Sequence, residues 1–259
     1  MTAVYQNTDF AFCAQKKFCL LSLNRFCVII VQNIQTGRSG KMEFDLKNFR
    51  LSKLNTPQYR HLYYLLYWAV YGFFFFFLEK LNRTSYTDMA TVLDKYIPFC
   101  EYFIISYALW FVYMAFIIIY IFFFDIESFK KFSIFAMITY SVAVITYFVF
   151  PSMQSLRPAV FERDNIFVTA VKFLYTIDTP TNVCPSVHVI GSMAGLFAVL
   201  NSKKLGTAAG KIFFTAAAVI ICASTMFLKQ HAAVDVIAGL AVAFITYPFV
   251  YCRKKKNRE

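Results

Sequence analysis

The chain lacks most of the signals from which metal proteins and soluble multidomain enzymes are read. Its seven cysteines show neither the paired spacing of a zinc site nor the density of a disulfide scaffold, so most are small apolar packing residues. No cluster of Asp and Glu suited to holding Mg²⁺ occurs, and the expectation is no metal and no cofactor. There is no internal repeat, which duplicated transporter halves would leave, and no linker long enough to separate two domains. Histidine is scarce as well, with three in 259 residues. Two of them sit in short polar stretches beside long apolar runs: Cys184-Pro185-Ser186-Val187-His188, and 224–235, which contains Lys229, His231 and Asp235. In so apolar a chain, imidazole at a helix end is costly to place and useful where protons or phosphoryl groups move.

What the chain has in excess is apolar surface. Hydrophobic residues make up 59% of it and Phe alone contributes 32 residues, against about 45–50% apolar in an ordinary soluble domain. Several runs approach the roughly 20 residues that cross a bilayer as helix. Six spans are predicted, at 62–78, 97–124, 132–150, 186–200, 212–228 and 232–251. The fold class is therefore all-α, a polytopic membrane protein with six transmembrane helices in one bundle. The Phe run at 73–77 reads as lipid-facing packing.

The formal net charge of +12 raises nucleic acid as a partner, but the placement of the basic residues points elsewhere. From Met42 onward, fourteen Lys and Arg fall on one side of the spans and seven on the other. The positive-inside rule assigns the richer side, with both termini, to the cytoplasm. The charge is a topology signal, and the expected partner is the bilayer, not nucleic acid.

Three regions are expected: an N-terminal cytoplasmic segment 1–61, the membrane domain 62–252 and a basic cytoplasmic tail 253–259. Within the first, the apolar stretch 18–31 is broken by Asn24 and Arg25 and is followed by no small-residue cleavage site. Met42 is then a candidate for the true translation start, testable by mass spectrometry of the native amino terminus. The one long loop, 151–185, carries Arg157-Pro158 and Asp178 and runs into the first histidine stretch; loops of this length are commonly functional.

Tracing the spans from a cytoplasmic start brings Arg157-Pro158, 185–188 and 229–235 to one outer face. His231 and Asp235 are four residues apart, so a helix starting near His231 puts them on one face, where the carboxylate fixes the imidazole tautomer. A helix-capping role for Asp235 is the plainer alternative. Pro185-Ser186 suits a helix start, where free amides and a hydroxyl hold an anion; a simple N-cap is the competing role for Ser186. Arg157 offers a planar fork for phosphate oxygens and Lys229 a point charge, although either could snorkel to the interface. Two imidazoles, a paired carboxylate, two cations and a helix start at one membrane level describe phosphoryl transfer by way of a histidine.

These residues resemble the type 2 phosphatidic acid phosphatase superfamily, marked by Lys-x₆-Arg-Pro, Pro-Ser-x-His and Ser-Arg-x₅-His-x₃-Asp. The second motif is present as Pro185-Ser186-Val187-His188, and the third as Ser224-Thr225, five residues, His231, three residues, Asp235. The similarity extends from about residue 62 to 252. There are three departures: Phe150 stands seven before Arg157 in place of lysine, Val187 replaces the usual glycine, and Thr225 replaces the third-motif arginine.

The resemblance implies a cell-membrane lipid phosphatase with its active site on the extracytoplasmic face, acting on a lipid phosphate or pyrophosphate. His231, oriented by Asp235, is the nucleophile, His188 the general acid and then base, and Arg157, Ser186 and Lys229 hold the phosphate oxygens, with Lys229 a candidate replacement for a missing cation. Two alternatives are a phospholipid headgroup transferase of the inositol phosphorylceramide synthase type and a non-enzymatic transporter using Glu101 and the histidines.

Overall fold

The computed structural model describes residues 44–81 and 83–252. The chain divides into two units, Met1–Lys41 and Met42–Glu259, and the described residues belong to the second. The segment 1–41, the candidate start at Met42 and the tail 253–259 lie outside the described residues.

Among the described residues there are seven α-helices: α1 Tyr64–Lys80, α2 Ile104–Phe124, α3 Ile126–Val149, α4 Ile166–Ile177, α5 Val187–Asn201, α6 Ala208–Phe227 and α7 Ala233–Tyr251. The only strands among the described residues are the two-residue β1 Thr87–Asp88 and β2 Ser152–Met153, which pair in parallel. The all-α expectation holds. Among the described residues, five helical segments are long and apolar enough to cross a membrane, from Arg60–Lys80 to Ala233–Tyr251. The protein is a multi-pass membrane protein.

The predicted fourth span is the exception in length. Helix α5 has 15 residues, yet every residue from Val189 to Val199 is buried. A helix apolar all round is stable when other helices surround it, and α5 packs against α2, α3, α6 and α7. Its small residues admit those neighbours. A Cβ at Gly191 would come within 2.6 Å of Tyr140 Oη, and one at Gly195 within 2.7 Å of the Tyr113 ring. The spacing Gly-x-x-x-Gly lets helices approach this closely. By contrast α1 buries only Leu78, and Phe73, Phe74, Phe76 and Phe77 are exposed on its surface, the face a bilayer would meet.

Helix α3 begins six residues before the predicted span because Asp125 caps it: the Asp125 side chain accepts from the Ser128 amide and from the hydroxyls of Ser128 and Ser202. The same carboxylate thereby ties α3 to the end of α5. Helix α4 lies inside the stretch 151–185 that reads in the sequence as loop. Asn165 supplies its N-cap, accepting from the amides of Phe167 and Val168, and its buried stripe of Val168, Val171 and Leu174 has helical spacing. Twelve residues are too few to span a bilayer.

Candidate active site

At one end of the bundle the chain brings together the starts of α2, α5 and α7, the ends of α1 and α6, and the stretch around α4. Helix α6 closes with a Schellman arrangement: Lys229 N–H donates to Met226 O and Gln230 N–H to Thr225 O. The His231 amide also donates to Thr225 O. Thr225, the residue standing in for the motif arginine, thus fixes the backbone entry of His231, while its own hydroxyl is turned back to Cys222 O.

Helix α7 then starts at Ala233 after an Ala232 that has no capping side chain. Two carboxylates take over that role. Asp235 Oδ2 accepts from the Ala232 amide at 2.8 Å, and Asp94 Oδ1 from the Ala233 amide at 2.7 Å. Asp235 is fully buried, with Oδ2 3.5 Å from His231 Nδ1. That separation is longer than a well-formed hydrogen bond, and the capping role already engages the same oxygen.

Helix α5 begins as its sequence suggests. Ser186 is buried and its hydroxyl accepts from Val189 N–H, while its own amide donates to Asp235 O. Ser186 therefore acts as N-cap and joins the starts of α5 and α7. Tyr147 Oη donates to Pro185 O and Ser152 Oγ accepts from the amides of Val183 and Cys184, so the approach to the helix is held from α3 and β2. Burial beside Asp235 pushes the Cys184 thiol up to about 12, which keeps it protonated.

His188 follows, and its surroundings were not apparent from the motif. Its Nε2 lies 2.9 Å from Tyr107 Oη, and Tyr107 donates to Asp178 Oδ2 at 2.8 Å. Because the phenol spends its single proton on the carboxylate, its oxygen is left to accept from His188 Nε2–H. Gln230 Nε2 also donates to Asp178 Oδ2, at 3.2 Å. The rings of His188 and His231 are 5.7 Å apart. They share a pocket with Gln230, Asp178, Val187 and, across it, Glu79 and Asn182.

The two candidate cations are placed one step back. Arg157 stacks over Tyr175 at 4.3 Å and donates to the carbonyls of Asp178 and Tyr175 and to Gln230 Oε1. Partial burial lowers its pKa, with Asp178 opposing the shift, and the guanidinium stays a cation. Lys229 adopts a left-handed backbone, φ 52°, and donates from Nζ to the carbonyls of Asp94 and Ile97. Neither side chain lines the pocket. Glu101, the residue a transporter would need, is instead paired with Arg163 at 3.0 Å and accepts from Asn165. No group of three or more His, Cys, Asp or Glu able to hold a metal ion occurs among the described residues.

The site is a pair of histidines in one pocket at the end of an all-α membrane bundle. The chain belongs to the PAP2 superfamily, whose family model matches residues 130–259 and takes in both histidine motifs. No curated protein and no solved structure matches the chain. Membership bears out the resemblance carried by those motifs and gives the protein a phosphatase-type function in general terms.

Proposed function

We propose that this protein hydrolyses a lipid phosphate or pyrophosphate through a phosphohistidine on His231, without a metal. The observation that supports this most is the shared pocket: His188 and His231 come from different helices, 43 positions apart in sequence, yet their rings lie 5.7 Å apart. In the proposed first step His231 attacks phosphorus, the bond to the lipid oxygen breaks, and His188 as an imidazolium gives that oxygen its proton. His188, now neutral, takes a proton from water as the water attacks the phosphohistidine and releases phosphate.

Asp235 supports the imidazole of His231 from below, and Tyr107 with Asp178 orients His188. The first-turn amides of α5 at Val187 and His188 precede the helix's own hydrogen-bond ladder and are suited to phosphate oxygens. Arg157 acts on this site through Gln230 and Asp178, Ser186 through the start of α5, and Lys229 by holding the turn that delivers His231. We place the site on the extracytoplasmic face of the cell membrane, with both termini cytoplasmic, on the strength of the charge asymmetry.

Headgroup transfer to a lipid alcohol is a second reading, favoured by the two carboxylates in the pocket, which suit a phosphodiester better than a dianion. It is distinguished by product that forms only when a lipid acceptor is added.

Single-turnover kinetics test the assignment of roles. His188→Ala should slow phosphoenzyme formation from a lipid phosphate, whose alkoxide leaves poorly, far more than from p-nitrophenyl phosphate. Equal slowing for both substrates would remove His188 from the role of acid.

A further inference from the structure

The pocket holding the two histidines is lined by further polar side chains that the phosphoryl chemistry does not use. Glu79, Thr179, Thr181 and Asn182 line it, with Asp178 nearer the histidines, and no lysine or arginine is among the described residues that line the pocket. The cations that motif reasoning would put there are engaged elsewhere, Arg157 and Lys229 on carbonyls. The sequence gives the same charge balance independently, since Phe150 and Thr225 stand where the family motifs carry lysine and arginine. Two carboxylates lining the same pocket as the reacting imidazoles repel a phosphate dianion, and a substrate that brings its own positive charge offsets that repulsion.

The pattern of donors and acceptors narrows the class. Glu79 accepts from Thr179 Oγ1 at 2.5 Å and from Asn182 Nδ2 at 2.9 Å. A carboxylate only accepts, so Asn182 must face it with nitrogen, and the amide oxygen is left over. Asn182 is 6% exposed and its Oδ1 is buried without a hydrogen-bond partner. A buried acceptor left unmatched next to a carboxylate calls for a ligand with N–H donors and positive charge.

We infer that Glu79 and Asn182 form a subsite for a primary ammonium group carried by the substrate close to its phosphoester. A quaternary ammonium has the charge but no proton for Asn182 Oδ1. The group can come from an ethanolamine-type headgroup on a phosphodiester or from an amine on the lipid backbone beside a phosphomonoester. The inference rests on the phosphohistidine reading for what becomes of the phosphate, while the binding it predicts stands apart from turnover.

Binding is measured by calorimetric titration of the full-length His231→Ala protein in detergent, which forms no phosphoenzyme. Two soluble pairs serve as probes: dihexanoyl phosphatidylethanolamine against dihexanoyl phosphatidylcholine, and 2-aminooctyl phosphate against its N-acetyl derivative. The primary amine should bind about tenfold more tightly in at least one pair, which identifies its source, and adding Glu79→Gln should shrink the preference to about twofold. Because Glu79 also holds the loop, the protein with Glu79 intact carries a separate check: ethylammonium chloride should compete with the preferred ligand and tetramethylammonium chloride should not. Equal affinities within both pairs, a preference that survives Glu79→Gln, or equal competition by the two cations overturns the inference. A binding preference in a protein whose His231-intact form makes no phosphoenzyme contradicts the catalytic reading and leaves the subsite standing.

Discussion

Both ends of the bundle bury imidazole, and the rings differ in the company they keep. At one end His61 is fully buried, with the rings of Phe44, Phe122 and Phe129 all within 6 Å of its own. Among the described residues, no carboxylate or second histidine is paired with it. At the other end His188 reaches a phenol that is itself bonded to a carboxylate, and His231 sits beside Asp235 and 5.7 Å from its fellow histidine. Burial alone therefore says little about function in a chain this apolar. The discriminating features are the polar partners that distant segments deliver.

The widest expected gap is between single substitutions at the two ends. His231→Ala should lower turnover by at least about 10³-fold, because the attacking atom is gone, whereas His61→Phe should leave it within about twofold. Steady-state rates of the two purified variants check this, and comparable losses would erase the distinction between the ends.

A smaller effect is expected one bond away from the reaction. Tyr107→Phe keeps the ring packed but removes the oxygen that His188 meets, and kcat should fall about tenfold with KM little changed. Asp178→Asn should have an effect of the same order through the same phenol. A variant with unchanged kcat would show that the His188–Tyr107–Asp178 connection is structural only.

The smallest effect concerns Lys229. A non-glycine residue in the left-handed region costs about 1–2 kcal/mol, and here its ammonium offsets that cost by bonding two buried carbonyls. Lys229→Met should therefore lower unfolding stability by about 1–3 kcal/mol, with activity falling less than for Tyr107→Phe. A thermal unfolding series measures it. A loss of activity rivalling that of His231→Ala, with stability unchanged, would instead make Lys229 a phosphate ligand.

The helices and the two histidine motifs were legible because both are local: a hydrophobic run and a fixed spacing survive without tertiary information. The i, i+4 relation of His231 and Asp235 is of this kind. Tyr107, Glu79 and Asp178 were not singled out as site residues, since each meets its partner across more than 50 positions of sequence and sits in an unremarkable local context. Helix α4 was missed although Asn165 and the spacing of Val168, Val171 and Leu174 mark it, because a twelve-residue amphipathic stretch is overshadowed by neighbouring spans. The direction of Lys229 could not be read at all. It depends on a left-handed turn that nothing at position 229 in the sequence announces, since such turns ordinarily carry glycine.

The central claim is that phosphorus is transferred to His231. Rapid quenching of the full-length protein with ³²P-labelled p-nitrophenyl phosphate, followed by peptide mapping under alkaline conditions, tests it most directly. The account predicts an acid-labile, alkali-stable label on the peptide containing His231, absent from His231→Ala. Label on a serine or an aspartate, or turnover that persists in His231→Ala, would contradict it.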